Sequence, residues 1–236
     1  MPDKLANVFI ASFQVGPWQT NCYVLRADDS PDAIVVDPGV DAQAPVIHML
    51  ADKGWGLAGV LATHGHVDHI GDAARLANRF GAPLWMHGAD DYMLTRPSAG
   101  LGTQWAPYLA DLLGEDALPA PEHRVDLADG GGIEAAGLRL SITPAPGHTP
   151  GSVLARLDDD AGPLILCGDV VFAGSIGRTD LPGGDSRVML ATLRDVVSFL
   201  PGDARLLPGH GPATTMARER AVNPYLQRDV LEGSSL

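Results

Sequence analysis

The feature that most constrains this chain is a concentration of histidine and aspartate in residues 63–69, which read THGHVDH. The candidate ligands in this segment are His64, His66, Asp68 and His69. An apolar run over residues 59–62 predicts a buried strand before them, and residues 70–76 predict the start of a helix after them. Unpaired imidazole and carboxylate groups at a strand end destabilise a fold unless a partner satisfies them, and a bound metal ion does so. The segment therefore predicts a metal site.

Three further candidate ligands, His148, Asp169 and His210, follow strand-like runs later in the chain. His148 lies in the sequence PAPGHTPGS, Asp169 follows LCG, and His210 lies in LLPGHGP. Glycine and proline beside a ligand permit a sharp, fixed turn, so that the side chain leaves its strand in one direction. These loops predict that ligands from distant parts of the chain meet at one point.

The number of candidates indicates more than one ion. Five imidazoles and two carboxylates are available, whereas one zinc ion takes about four ligands, one of them usually water in a catalytic site. The set is too large for one ion and suits two ions that share a bridging carboxylate. The remaining histidines, His48, His87 and His123, are interpreted as structural. Cys167 lies two residues before Asp169, but the apolar run before it favours a buried thiol over a metal ligand.

Composition argues against several classes of protein. The chain has 236 residues and a formal net charge of −13, which argues against binding a nucleic-acid backbone because such binding needs clustered Lys and Arg. No apolar stretch approaches the roughly 20 residues that span a membrane, and the N-terminus lacks the features of a secretory signal. Cys22 and Cys167 are expected to be free, buried thiols. The sequence therefore predicts a cytoplasmic protein that acts on a small molecule, and it leaves the oligomeric state open.

The order of secondary structure predicts the architecture. Strands are predicted over residues 8–10, 22–25, 33–36, 59–62, 83–87, 133–135, 138–142, 152–156 and 164–167. Helices are predicted over residues 42–53, 72–80, 89–113 (with breaks at Pro97, Gly100 and Pro107), 187–200 and 214–226. Each half is strand-rich first and helical later, which two face-to-face sheets with helices outside would bury. Because no stretch has the composition of a linker, residues 1–236 are predicted to form a single domain.

The order of these residues resembles the metallo-β-lactamase superfamily. The resemblance rests on His64-x-His66-x-Asp68-His69 followed by His148, Asp169 and His210, and on residues 35–39 (VVDPG). It implies an α/β (α+β) fold, a four-layer αββα sandwich with two metal ions at one edge. It also implies that His64, His66 and His148 hold one ion and that Asp68, His69 and His210 hold the other. Asp169 would bridge the ions, and Asp37 would orient ligands from behind.

Within the superfamily the chain most resembles small glyoxalase II-like hydrolases of the hydroxyacylglutathione hydrolase type. The matching residues are 20–23 (TNCY), 177–181 (GRTDL), 208–212 (PGHGP), Thr214, Thr215, Glu219, Arg220, Asn223 and Pro224. This implies hydrolysis of a thioester, S-lactoylglutathione or an acyl group on another thiol carrier, by metal-activated hydroxide. Asp68 and Asp169 would be catalytic, and Arg178 would bind substrate. Full-length glyoxalase II enzymes hold glutathione with a C-terminal helical extension, and the chain ends soon after residue 224, so the carrier stays open.

Other functions remain as alternatives. A mononuclear-iron persulfide dioxygenase of the same superfamily resembles the chain at residues 177–180, but residues 208–211 favour the hydrolase; a lactonase is a further alternative, and a non-enzymatic metal-binding protein is disfavoured. Antibiotic hydrolysis is disfavoured because related β-lactamases place cysteine where Asp169 stands and lack a histidine at His69. Zinc is the expected metal, and iron or manganese would suit the same ligands. Residues 93–113, with Trp105 and Tyr108, form either a lid over the site or packing on an outer helix.

Overall fold

The first sheet follows the order of the chain in a computed structural model that describes residues 3–5, 7–127, 130–159 and 162–233. Its strands are β1 (Asp3–Leu5), β2 (Val8–Val15), β3 (Thr20–Ala27), β4 (Asp32–Val36), β5 (Gly56–Leu61), β6 (Leu84–Met86) and β7 (Arg124–Asp126). The strands from β1 to β4 pair antiparallel, and those from β4 to β7 pair in parallel. Because β4 and β5 are parallel, the loops after both strands leave the same edge of the sheet.

The second sheet is built from the later part of the chain. Its strands are β8 (Gly132–Ala135), β9 (Leu138–Pro144), β10 (Val153–Leu157), β11 (Leu164–Gly168), β14 (Arg205–Pro208) and β15 (Thr214–Thr215), in the spatial order β15-β14-β11-β10-β9-β8. A small hairpin of β12 (Val171–Phe172) and β13 (Ser175–Ile176) follows β11. Both β9 and β11 pair antiparallel with β10, and β14 is parallel to β11. Consequently β9, β11 and β14 run in one direction and end at one edge.

Helices lie in the connections between strands and after the last strand. The α-helices are α1 (Gln43–Lys53), α2 (Val67–Ile70), α3 (Ala73–Phe80), α4 (Ser98–Leu101), α5 (Ala106–Leu113), α6 (Ser186–Asp195), α7 (Met216–Val222) and α8 (Arg228–Leu231). Short 3₁₀ helices span Gly88–Met93, Thr103–Trp105, Val197–Phe199 and Pro224–Leu226. Among the described residues, no helix is both long enough and apolar enough to cross a membrane.

Alternation along the strands produces three buried layers. Successive side chains of a strand point to opposite faces, so Ile34 of β4 and Leu166 of β11 lie in the core between the sheets. The opposite face of the first sheet, with Val35, packs against α1 and α3. The opposite face of the second sheet, with Ile165, packs against α6. Helix, sheet, sheet and helix therefore form four layers, and the predicted αββα sandwich is confirmed.

The predicted elements differ from the structure mainly where proline and glycine interrupt helices. The segment 89–113 forms two 3₁₀ helices together with α4 and α5 rather than one interrupted helix. Pro107 opens α5 instead of breaking it, because proline fits the first turn of a helix, where its missing N–H costs nothing. The segment 214–226 divides into β15, α7 and a 3₁₀ helix that starts at Pro224. The sequence did not predict β7, which is short and only partly buried.

Candidate metal centre

The seven predicted ligands follow the carboxyl ends of strands from both sheets. His64, His66, Asp68 and His69 lie directly after β5, and helix α2 starts immediately after His66. His148 follows β9, Asp169 follows β11 and His210 follows β14. Because these strand ends meet at one edge of the sandwich, the side chains converge although they are far apart in the chain.

The first ligand group consists of His64, His66 and His148. Each offers a ring nitrogen that lies within 4.8 Å of the other two. His66 Nδ1 and His148 Nε2 are 2.9 Å apart. All three residues are buried, with exposed fractions of 0%, 3% and 2% in chain order. This is a closed, all-imidazole site.

The second ligand group consists of Asp68, His69 and His210, whose ligand atoms also lie within 4.8 Å of one another. Asp68 Oδ2 lies 3.5 Å from His69 Nε2 and 3.1 Å from His210 Nε2. The His210 side chain is 28% exposed and that of Asp68 is 13% exposed. This group therefore opens to solvent.

Asp169 lies between the two groups. Its Oδ1 is 3.4 Å from His69 Nε2, and its Oδ2 is 3.5 Å from His148 Nε2 and 3.6 Å from His210 Nε2. Asp169 also forms a third candidate group with His64 and His69. One carboxylate thus presents its oxygens to ligands of both groups, and its bridging role stays a prediction.

Unpartnered polar atoms test whether these residues fit metal ions. Within the described residues, six buried side-chain nitrogen or oxygen atoms have no hydrogen-bond partner. Four of the six belong to this site: His64 Nε2, His66 Nε2, His69 Nε2 and Asp169 Oδ1. A buried polar atom without a partner is costly and rare, and imidazole and carboxylate are ligands of divalent metals. The donor set therefore fits such ions. Bound ions would act as partners for the four atoms, which explains why these atoms lie together.

Partners on the far side of the rings fix which nitrogen is available. Asp37 Oδ2 accepts a hydrogen bond from His69 Nδ1 at 2.9 Å, and Asp37 also accepts from Thr63 N and Thr63 Oγ1, both at 2.7 Å. Thr63 Oγ1 donates to Asp37 and therefore accepts from His64 Nδ1, 3.2 Å away. With Nδ1 protonated, the Nε2 lone pair of each ring points toward the site. Asp37 thus joins His69 and Thr63 by hydrogen bonds, and its orienting role stays a prediction.

Charge differs between the two groups. Burial lowers the pKa of His64 well below its usual value and that of His66 to about 3, with neighbouring imidazoles adding to the effect. Burial also opposes protonation of His69, but nearby carboxylates, Asp68 first, raise its pKa overall. Desolvation opposes ionisation of Asp68 and Asp169, yet His69 brings the pKa of each below its usual value. His64 and His66 are therefore neutral and ready to ligate, whereas Asp68 and Asp169 are carboxylates whose charge suits a cation.

A sequence profile described as the Metallo-beta-lactamase superfamily matches residues 15–210, a span that contains all seven ligands. The chain belongs to the metallo-beta-lactamase superfamily. Metal-dependent hydrolysis at a His/Asp centre for divalent metal ions is the function that this membership supports.

Curated superfamily relatives span nearly the whole chain. An uncharacterised protein of Mycobacterium tuberculosis is 38% identical over 93% of this chain and 98% of its own length. The hydroxyacylglutathione hydrolase GloC of Haemophilus influenzae is 31% identical over 90% of this chain and 95% of its own length. The resemblance to hydroxyacylglutathione hydrolases therefore has a named counterpart among the relatives.

Solved structures share the fold. BLEG-1, a B3 metallo-beta-lactamase, has a TM-score of 0.79 at 34% identity, covering 92% of this chain and 99% of its own. TTHA1623 in a di-iron-bound form has a TM-score of 0.74 at 30% identity, covering 92% and 100%. ETHE1 from Myxococcus xanthus has a TM-score of 0.71 at 21% identity, covering 96% and 91%, a likeness of fold alone.

Several contacts that the sequence did not predict hold the ligands in place. The backbone carbonyl of Arg178 accepts from His148 Nδ1 at 2.7 Å, and Thr20 Oγ1 donates to Asp68 Oδ2 at 3.2 Å. Asn21 ties the first sheet to the loop that carries His210, because its backbone N–H donates to Gly209 O and its amide donates to Pro208 O and Gly211 O. Carbonyl groups and amides at such distances along the chain leave no local signal in a sequence.

Close packing makes glycine necessary in two loops that border the ligands. A Cβ on Gly209 would meet Asp169 Oδ1 and lie 2.5 Å from His69 Cε1. A Cβ on Gly177 would meet Asp169 O and lie 3.0 Å from His148 Nδ1. The glycines of PGHGP and GRTDL therefore give the ligands the space they occupy.

Other predicted residues lie outside this cluster of ligands. The Arg178 guanidinium is 61% exposed and pairs twice with Asp180 at 2.7 Å, so its role toward substrate stays a prediction. Of the three histidines interpreted as structural, His48 and His123 are exposed and His87 accepts from Ala89 N. Cys22 and Cys167 are free and buried, and burial raises the pKa of each thiol, as the interpretation of Cys167 as a core residue expected.

The segment 93–113 contacts both the outer core and the site. Leu109 is fully buried in the core beneath α1 and α3, whereas Trp105 and Tyr108 are 44% and 42% exposed. Tyr108 stacks edge-on against both Trp18 and Trp105. A Cβ on Gly100 would lie 3.0 Å from His66 Cδ2, which brings α4 beside the first ligand group. The lid function stays a prediction.

Proposed function

We propose that this protein is a dinuclear metal-dependent hydrolase that cleaves the acyl thioester of a small thiol. The observation that carries the proposal is the pair of ligand groups that share Asp169 between them. The relative GloC, a hydroxyacylglutathione hydrolase at 31% identity over most of both chains, favours a thioester as the substrate. S-lactoylglutathione is the first candidate, and acyl groups on other thiol carriers are the next.

The chemistry divides between the ions and the side chains. Two divalent ions, when bound, would lower the pKa of water and polarise a carbonyl oxygen. Zinc suits the donors, and the di-iron form of TTHA1623 makes iron the second candidate. Asp68 is held by Thr20 and His210 at the exposed side of the site, where its carboxylate orients the attacking water and accepts a proton from it.

The proposed reaction needs no separate acid to protonate the leaving group. The water oxygen bonds to the thioester carbonyl carbon, the carbon–sulfur bond breaks, and the thiol leaves as a thiolate. Because a free thiol has a pKa of about 8.5, its thiolate is a good leaving group near neutral pH. The proton accepted at Asp68 then passes to solvent through the open side, where His210 is 28% exposed.

The decisive test is metal analysis of the purified protein combined with hydrolysis of a panel of acyl thioesters, including S-lactoylglutathione. We expect thioester cleavage with metal content near two ions per chain. His66→Ala and Asp169→Ala should lose turnover and metal while retaining the circular dichroism spectrum of the parent. Full activity in either variant, or no cleavage of any thioester by the metal-loaded protein, would refute the proposal.

β-Lactam hydrolysis is the second candidate, and the likeness to BLEG-1 at 34% identity favours it. The sequence argument against it compared the chain with β-lactamases that carry a cysteine ligand, and it stays a prediction. Persulfide dioxygenation and lactone hydrolysis are further alternatives, the former with a likeness to ETHE1 at the level of fold. Assays with a chromogenic cephalosporin, with a lactone, and with glutathione persulfide while oxygen uptake is followed separate these activities from thioester cleavage.

A further inference from the structure

Asp90, in the 3₁₀ helix Gly88–Met93, is a buried carboxylate to which the proposed chemistry assigns no role. It is fully buried and far in the chain from every ligand loop except that of β5. Its side chain accepts hydrogen bonds from Gly65 N at 2.8 Å, from Thr149 Oγ1 at 2.7 Å and from Gly151 N at 2.7 Å. Gly65 stands between His64 and His66, and Thr149 directly follows His148.

We propose that Asp90 is a positioning residue that fixes the turn of His64 and His66 relative to the loop of His148. It would thereby set the geometry of the first ligand group. The inference rests on the metal centre of the proposed function but not on the identity of the substrate. The two segments that it joins follow strands of different sheets, so a single side chain spans the junction between the halves of the molecule.

The chemistry of the three donors selects a carboxylate. Oδ2 accepts from Gly65 N and Thr149 Oγ1, while Oδ1 accepts from Gly151 N. Both oxygens therefore face donors, and an ionised carboxylate is a pure acceptor. Because the Thr149 hydroxyl donates to Asp90, it accepts from the Ser152 hydroxyl, 2.8 Å away. Ser152 Oγ in turn accepts from Thr149 N at 3.2 Å, which closes the His148 loop on itself.

The close approach of Asp90 depends on glycine in both segments. A Cβ on Gly65 would lie 2.9 Å from Asp90 Cβ and 2.7 Å from Met93 Cε. A Cβ on Gly151 would lie 2.6 Å from Asp90 Cγ. All three distances are shorter than those that real Cβ atoms make with their neighbours. Each ligand segment thus has a glycine where it packs against the Asp90 side chain. This packing is independent evidence that Asp90, Gly65 and Gly151 are positioned together.

Asp90→Asn tests this role with metal binding as the readout. The amide is nearly isosteric but must present its NH₂ to at least one N–H or O–H donor, which breaks that hydrogen bond. We expect zinc affinity, measured by chelator competition, to fall about 10- to 100-fold. The visible spectrum of the cobalt(II) form should change as well, because ligand geometry shifts. Both measurements use the full chain and the metal alone, without substrate.

Glu219→Gln is the matched control. Glu219 is also a fully buried carboxylate, and it accepts from a backbone N–H (Gly174), a threonine hydroxyl (Thr214) and Asn223. None of these donors is adjacent to a ligand. This variant should lower the melting temperature without changing zinc affinity or the cobalt spectrum. Unchanged affinity and spectrum in Asp90→Asn, or an equal loss of affinity in Glu219→Gln, would overturn the role of Asp90.

Two variants at Thr149 decide the question even where Asp90→Asn does not fold. Thr149→Val removes one of the three hydrogen bonds to Asp90 and should weaken zinc binding. Thr149→Ser keeps the hydroxyl and should retain the zinc affinity of the parent. Equal affinities for the two would contradict the proposal. Failure to cleave any thioester would refute the proposed function, but a metal-binding defect in these variants would still support the positioning role.

Discussion

The two ligand groups differ in burial and in charge, and the difference separates holding a metal from using it. His64, His66 and His148 are almost fully buried, and the two ring pKa values lowered by burial belong to His64 and His66. Asp68, His69 and His210 include a carboxylate, and Asp68 and His210 reach solvent. A buried set of imidazoles is suited to binding an ion tightly, and an open set with a carboxylate is suited to presenting an ion to substrate.

The same difference appears in the groups that orient the ligands. The first group relies on backbone as well as side chains: the Arg178 carbonyl accepts from His148, Gly65 N and Gly151 N donate to Asp90, and Thr63 Oγ1 accepts from His64. The second relies on side chains, because Asp37 holds His69 and Thr20 holds Asp68. Asp169 places its two carboxylate oxygens near ligands of both groups. Substitutions can therefore separate the groups, and the predictions below run from the largest expected effect to the smallest.

Removing divalent ions with a chelator is expected to abolish hydrolysis, because both groups are then without the ions that complete them. If the ions are present at a thousandfold excess over Kd, their removal costs about 4 kcal/mol of stability. For a chain of this size that corresponds to a fall in melting temperature of roughly 10 °C. Calorimetry and a thioester assay, repeated after stepwise addition of zinc, measure both effects.

That titration also tests the difference between the groups. The first equivalent should restore most of the melting temperature by filling the buried group, and the second should restore most of the activity by filling the open group. Simultaneous recovery of stability and activity with the first equivalent would contradict the division of roles.

Asp169→Asn is expected to lower kcat/KM by about 10³-fold, or roughly 4 kcal/mol of transition-state stabilisation. The reason is that the carboxylate faces ligands of both groups, so that its neutral analogue weakens both at once. Steady-state kinetics together with metal analysis check this. An active variant with full metal content would show that Asp169 does not join the groups.

Gly209→Ala is expected to reduce activity about 10- to 100-fold by displacing a ligand from its position. The added methyl would meet Asp169 Oδ1 and the His69 ring, so it perturbs the bridge and the second group while leaving His64 and His66 untouched. Gly131→Ala is the control, because a Cβ there has no neighbour within 4 Å. Similar kinetics for the two alanine variants would show that the loop tolerates displacement.

Asp37→Asn is expected to lower the affinity of the second group for its ion by about tenfold, because the amide accepts poorly from both His69 and Thr63. Asp37 has a φ of 50°, and asparagine tolerates this conformation, so the change isolates hydrogen bonding from backbone strain. Asp41→Asn, an exposed residue with a φ of 64°, is the matched control. If both variants bound the second ion alike, the orienting role of Asp37 would be wrong.

Arg178→Gln is expected to raise KM for anionic thioesters about two- to fivefold while leaving kcat unchanged, because exposed ion pairs contribute little and are screened by salt. Its backbone carbonyl, which orients His148, is retained. Arg194→Gln provides a matched control, since Arg194 makes the same two-bond pair with Asp195. A fall in kcat would indicate that the side chain acts on the ligand group rather than on substrate.

The sequence predicts the ligands and the fold better than it predicts the contacts around the ligands. The seven ligands stand in loops with glycine or proline after apolar runs, so local composition was sufficient to find them. The αββα layers followed from short alternating strands and amphipathic helices. The contacts that were missed join residues distant in the chain: Asp90 and Thr149 are 59 residues apart, and Arg178, whose carbonyl accepts from His148, is 30 residues from that histidine. A backbone carbonyl has no residue type, and no spacing rule predicts such pairs.

The Asn21 bridge between β3 and the His210 loop has a consequence for when the protein acquires metal. Asn21 and Pro208 are 187 residues apart, and Asp68 and His210 are 142 apart. At a synthesis rate of about 5–20 residues per second, the ribosome needs roughly 7–28 s to reach His210 after residue 68. Throughout that interval the HxHxDH segment of the nascent chain lacks His210. Neither ligand group is therefore complete until strands of the second sheet have been synthesised and docked against the first.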